Sequence, residues 1–106
     1  MRQTANWMIQ TDERILEELH ESEELTAWKL AFNLDERTGF VRHRCRVLGE
    51  AGFVYRVPRE KLADQFGLSI WGQLYLDGDL DANLRRPVPR ARPGYAVRPG
   101  WWAGFG

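Results

Sequence analysis

A single cysteine, Cys45, occurs in 106 residues, so no internal disulfide can form and too few thiolates exist for a structural zinc site. A reducing, cytoplasmic setting is the expectation. No apolar run approaches the roughly 18 residues that span a bilayer, and the amino terminus lacks the charged-then-apolar layout of a secretory signal. Also missing are a glycine-rich phosphate loop, a nucleophile beside a base and a cluster of metal ligands. These absences point away from an enzyme and give no cofactor or metal to expect. The length fits one small domain with a tail, without room for a deep cleft between domains. No small-molecule effector is evident either.

Neither sign of charge is in excess, since 15 basic and 15 acidic residues cancel. The balance hides a segregation. Residues 1–36 carry three cations and nine acids, a sum of −6, whereas residues 37–61 carry seven cations against Glu50 and Glu60, a sum of +5. Residues 62–81 hold four acids and no cation, a sum of −4, and residues 82–106 hold five arginines and no acid, a sum of +5. Salt screens charge over roughly 8–10 Å, so local fields rather than the total govern attraction to an anionic partner.

The basic middle block opens with Thr38-Gly39-Phe40-Val41-Arg42-His43-Arg44-Cys45-Arg46-Val47-Leu48. At about 3.6 residues per turn, Val41, Cys45 and Leu48 share one face and point into a core, while Arg42, His43 and Arg46 point away. That pattern suits a helix that lies in the major groove of DNA. Cys45 on the inner face behaves as a small buried hydrophobe. His43 and Cys45 diverge by about 200° on a helix and have no second pair, which removes a metal reading. Glu17, Glu18, Glu21, Glu23 and Glu24 follow a helix surface and its connector, as a solvated face does, rather than forming a catalytic pair.

Along the chain, Thr11-Asp12-Glu13 opens a first helix with a hydroxyl cap and acids in its first turn, and Ile15, Leu16 and Leu19 supply the buried stripe. Thr26 caps a short second helix containing Trp28, Leu30, Ala31 and Leu34, and Asp35-Glu36-Arg37 is a tight turn. Thr38 caps the third helix, which runs to Ala51 and stops at Gly52. Phe53-Val54-Tyr55-Arg56-Val57 alternates as a strand does and ends at Pro58, with a partner strand expected around Gln65-Phe66-Gly67-Leu68. Ser69 caps a last helix with Ile70, Leu74, Tyr75 and Leu76. Three helices, a two-stranded wing hairpin and a C-terminal helix make an α+β winged helix-turn-helix over residues 1–84. Trp7 and Trp28 are expected in the core or at a dimer interface.

The run from Trp7-Met8 through Asp12-Glu13-Arg14-Ile15-Leu16-Glu17, with Leu25-Thr26, Phe40-Val41-Arg42-His43-Arg44-Cys45, Leu48, Gly52-Phe53-Val54 and Tyr75-Leu76-Asp77-Gly78-Asp79-Leu80-Asp81-Ala82, resembles the winged-helix proteins related to the repressor of the haloarchaeal phage phiH. The resemblance covers roughly residues 5–84. It implies a cytoplasmic archaeal or viral transcriptional regulator that binds double-stranded DNA as a homodimer.

In a repressor of this kind, Arg42 and Arg46 are the base-contact candidates, because an arginine donates two hydrogen bonds to guanine O6 and N7. His43 reaches a base or phosphate, Phe40 touches a thymine methyl or packs inward, and Arg37, Thr38 and the helix-start amides hold a phosphate. Arg44 borders the core, so its stem packs while its head reaches a phosphate or a carboxylate. Arg59 and Lys61 at the wing tip grip the DNA backbone or enter the minor groove. Trp7, Leu74, Tyr75 and Leu80 are the candidate dimer-interface residues. The alternative is a winged-helix protein-interaction module without sequence-specific DNA binding. Residues 85–106 are dominated by proline, glycine and arginine and are expected to be largely extended or disordered. They act as a cationic arm, with Tyr95, Trp101 and Trp102 available to stack on bases, or are a weakly constrained extension, or dock their aromatic end on the protein's own surface.

Overall fold

Helices form where apolar residues recur at helical spacing, and the residues flanking them decide where each begins. In the computed structural model, which describes residues 2–83 and the backbone of Arg86–Pro87, the first helix, α1, spans Gln10–Ser22. It starts before the expected Thr11 cap. Ile9 holds the cap position, and the Asp12 carboxylate reaches back to accept the Ile9 N–H at 3.1 Å, which is half of a capping box. An acid three residues into the helix reaches that orphan donor; Thr11, already inside the helix, does not.

The short strand β1, Leu25–Thr26, leads directly into α2, Ala27–Leu34, where the Thr26 hydroxyl accepts the Lys29 N–H at 3.1 Å as expected. Asp35 turns the chain with left-handed φ 57°. Helix α3 spans Thr38–Ala51, but Arg37 occupies its cap position, so Thr38 is the first helical residue and its hydroxyl caps nothing. Gly52 ends α3 at φ 89°, the left-handed stop that glycine adopts without steric cost.

The wing comprises β2, Val54–Val57, and β3, Gln65–Leu68, antiparallel with Val54 opposite Leu68 and Val57 opposite Gln65. A third strand was not foreseen. β1 pairs with the far side of β3, Leu25 opposite Phe66, giving the order β1-β3-β2. The Ser69 hydroxyl then caps α4, Ile70–Leu76, by accepting the Gly72 N–H at 3.1 Å. Beyond it, β4 (Leu80–Asp81) pairs with β5 (Arg86–Pro87), so residues 86–87 are extended and paired, a pairing the sequence reading did not include. The rest of the expected tail lies outside the described residues.

The core joins Ile15, Leu16 and Leu19 of α1 to Leu30, Val41, Cys45 and Leu48 of the helix-turn-helix and to Phe53, Tyr75 and Leu80. Phe53 lies between two aromatic rings, 6.1 Å from Trp7 and 5.7 Å from Tyr75 by centroid. Tyr75 and Leu80 are therefore fully buried within one chain and have no surface to offer a second copy, contrary to their expected place at a dimer interface. The amino-terminal segment covers them: Gln3 bridges to Asp81, and Thr4 Oγ1 lies 3.0 Å from the Tyr75 hydroxyl. Of the two places expected for Trp28, the core is removed, since the side chain is 61% exposed.

Candidate nucleic-acid interface

The buried stripe of α3 fixes which side chains remain outside. Val41, Cys45 and Leu48 are fully buried, so at about 100° per residue Gly39, His43 and Glu50 face directly outward, with Arg46 close beside them. Arg42 falls on one flank and Phe40 on the other. Arg42, His43 and Arg46 are exposed and make no hydrogen bond or ion pair among the described residues. Phe40 is 38% exposed, Arg37 is exposed and Thr38 is half-buried at the helix start.

Arg44 takes a different place. Its Nε donates to Asp12 Oδ1 at 2.8 Å, and its terminal nitrogen donates to Asp12 Oδ2 at 2.6 Å and to the Trp7 carbonyl at 3.2 Å. This two-pronged contact ties α3 to the start of α1, around a carboxylate with no solvent exposure. The bond to Asp12 also holds the guanidinium pKa above its ordinary value. Of the two partners foreseen for its head, Arg44 has the carboxylate. Burial, with Asp12 adding to it, pushes the neighbouring Cys45 thiol up to about 12, which keeps it protonated and unreactive.

In the wing, Arg56 pairs with Asp64 at 3.1 Å, and Arg59 Nε donates to the Ala63 carbonyl at 2.9 Å. Asp64 also accepts the Arg59 backbone N–H at 3.4 Å, so the loop between β2 and β3 is held by its own polar groups. Arg59 is consequently half-buried, whereas Lys61 is exposed. Tyr55 donates its hydroxyl to Glu24 at 2.8 Å, a bond that raises its pKa.

Between α3 and the wing runs a cleft of about 920 Å³ lined by Arg42, Arg46 and Glu50 of α3, by Tyr55, Arg56 and Leu62 of the wing, and by Trp28 of α2. The expected set thus divides. Arg42 and Arg46 face the wing side, where the cleft gathers them; Arg37, Thr38 and Phe40 belong to the start of α3, and His43 stands outermost. Glu50 and Leu62 were not singled out from the sequence, and Trp28 was expected in the core or at a dimer interface rather than beside this cleft. For Trp28 a signal existed: the buried stripe Ala27, Leu30, Ala31 and Leu34 places residues 28 and 32 on the outer face, where their rings stack 5.8 Å apart.

The described helices include none long and apolar enough to cross a membrane, and no group of three or more metal-ligating side chains occurs among the described residues. No curated protein sequence matches the chain. The crystal structure of the PhiH1 repressor-like protein from Haloarcula marismortui is similar to it, with a TM-score of 0.74 and 27% identity over 83% of this chain and 98% of that one. The family model described as winged helix-turn-helix phage repressor matches residues 1–85. Four helices and a three-stranded antiparallel sheet in winged-helix order, together with that match, place this chain in the winged helix-turn-helix phage repressor family.

Proposed function

We propose that this chain is a sequence-specific repressor of transcription that reads the major groove of double-stranded DNA with α3, without catalysis. The observation that carries the reading is the pair Arg42 and Arg46. They sit one helical turn apart on the exposed side of a helix anchored by Arg44, and no acid of the described residues engages them. Guanidinium groups so placed donate bidentately to guanine, each pair worth about 1–3 kcal/mol of discrimination. His43 and Phe40 extend the reading surface, Arg37 and Thr38 hold phosphate at the helix start, and Lys61 with Arg59 meets the backbone from the wing.

The reading includes a homodimer acting in the cytoplasm of an archaeon or of a virus-infected archaeal cell, repressing by occupying an operator. With Tyr75 and Leu80 inside the core, the dimer face rests on the half-buried Trp7 and Leu74 and on Ile70, which is 64% exposed. Two copies then read half-sites about 34–36 Å apart. A protein-interaction module is the second reading, favoured by Trp28 and Phe32, which stack while 61% and 68% exposed.

The test is selection from a random duplex pool at near-physiological salt, with the wild type and an Arg42→Ala, Arg46→Ala double variant. Enrichment of a palindrome by the wild type alone is expected. Equal enrichment by the double variant would remove α3 from the reading, and no enrichment by a folded wild type would favour the interaction module.

A further inference from the structure

The cleft between α3 and the wing combines apolar and charged lining residues. Its volume of about 920 Å³ lies within the roughly 300–1,000 Å³ of small-molecule sites. Among its apolar lining residues, Ala27, Cys45, Val54 and Phe66 are buried, whereas Trp28 and Leu62 are 61% and 65% exposed and offer apolar surface to a ligand. A hydrated phosphate gains nothing from such a surface, since burying a charge against apolar groups carries a desolvation penalty.

We propose that this cleft binds a flat aromatic anion, and that its occupancy excludes DNA. The second half rests on the proposed DNA-reading role of α3. The exposed Trp28, Tyr55 and Leu62 in the cleft's lining suit a planar ring system. Its charge is set by what remains uncompensated: Arg56 is paired with Asp64, which leaves Arg42 and Arg46 against Glu50, a sum of +1. One singly charged head group, such as a carboxylate or sulfonate, matches that excess. Exclusion follows because a guanidinium that holds the anion is withdrawn from guanine.

The probe is anilinonaphthalene sulfonate, a fused aromatic body with one anionic group, titrated into the full chain without DNA. Its fluorescence is expected to rise and saturate at one probe per chain. The affinity is expected to fall about tenfold or more in Leu62→Asp and in the Arg42→Ala, Arg46→Ala variant, the scale of a hydrogen bond to a charged group. Leu62 is exposed, so its substitution leaves the core intact, which circular dichroism checks. No saturable binding, or equal affinity in these variants, overturns the site. With a selected duplex present, probe at ten times its Kd is expected to weaken DNA binding about 11-fold by mass action; an unchanged duplex affinity overturns the exclusion. A chain that binds probe in the cleft but no duplex refutes the DNA-reading role and leaves the site standing.

Discussion

Arg44→Met tests whether the recognition helix is anchored by the ion pair to Asp12. The substitution keeps an apolar stem of similar length and leaves a carboxylate of 0% exposure without its cation. Stranding one member of a buried pair costs about 3–5 kcal/mol. A domain of this size has a total stability of roughly 4–12 kcal/mol at the usual 0.05–0.15 per residue, so the loss is a large fraction of the whole. At about 4–8 °C per kcal/mol, the melting temperature falls by roughly 12–40 °C. Adding Asp12→Asn separates the ion pair from general packing. The asparagine oxygen still accepts the Ile9 N–H that Asp12 accepts at 3.1 Å, while the stranded charge disappears. The double variant is therefore expected to be more stable than Arg44→Met alone, with a coupling energy of about 2–3 kcal/mol, in the upper range seen for contacting residues. Urea unfolding followed by circular dichroism across the four-member cycle measures it. A cost below about 1 kcal/mol for Arg44→Met, or a further loss on adding Asp12→Asn, would refute the anchoring role.

Gly72→Ala in α4 is expected to destabilise by about 1–3 kcal/mol, because an added methyl would collide with the Phe53 carbonyl oxygen and the Leu68 side chain; a thermal melt unchanged by the substitution would show that α4 can shift away. Alkaline stability should also fall in a defined window. Burial pushes both the Cys45 thiol and the Tyr75 hydroxyl up to about 12 from 9.0 and 10.0, so the folded state holds these protons more tightly than the unfolded one. Their stabilisation is fully present below about pH 9 and is lost as pH rises to about 12. Urea midpoints across that window should flatten in a Cys45→Ala, Tyr75→Phe variant.

Local signals were the legible ones. The caps at Thr26 and Ser69 and the stop at Gly52 depend on residues within one turn, and each lies where the sequence places it. Thr11 and Thr38 fail as caps for an equally local reason: each lies inside its helix, with Ile9 and Arg37 holding the cap positions. β1 has two residues, too few for alternation to register, and exists only because β3 offers it a free edge. The outward face of α3 was legible from the spacing of Val41, Cys45 and Leu48, whereas the partner of Arg44 lies 32 positions away in the chain. The burial of Tyr75 and Leu80 was hidden in the same way, because the cover comes from Gln3 and Thr4 at the opposite end of the sequence.

Counting charges along the sequence overstates the cations available to DNA, and the salt dependence of binding can measure by how much. Residues 2–83 hold ten lysines and arginines. Four are engaged by carboxylates: Arg2 by Glu13 and Glu17, Arg14 by Glu36, Arg44 by Asp12 and Arg56 by Asp64. Lys29, Arg37, Arg42, Arg46, Arg59 and Lys61 remain. Neutralising Z phosphates on duplex DNA gives a slope of about −0.9Z in a plot of log affinity against log salt, so six cations set a ceiling of about −5.4 per protomer, against about −9 for all ten. The five arginines of residues 85–106 can add to this, and replacing them with glutamine isolates the domain's share. A slope between zero and about −5.4 per protomer is then expected in fluorescence-anisotropy titrations over a fourfold range of salt. A steeper slope in the glutamine-substituted chain would mean that DNA pulls arginines away from their carboxylate partners. In that case the ion pairs that shape the free protein would have to rearrange on binding.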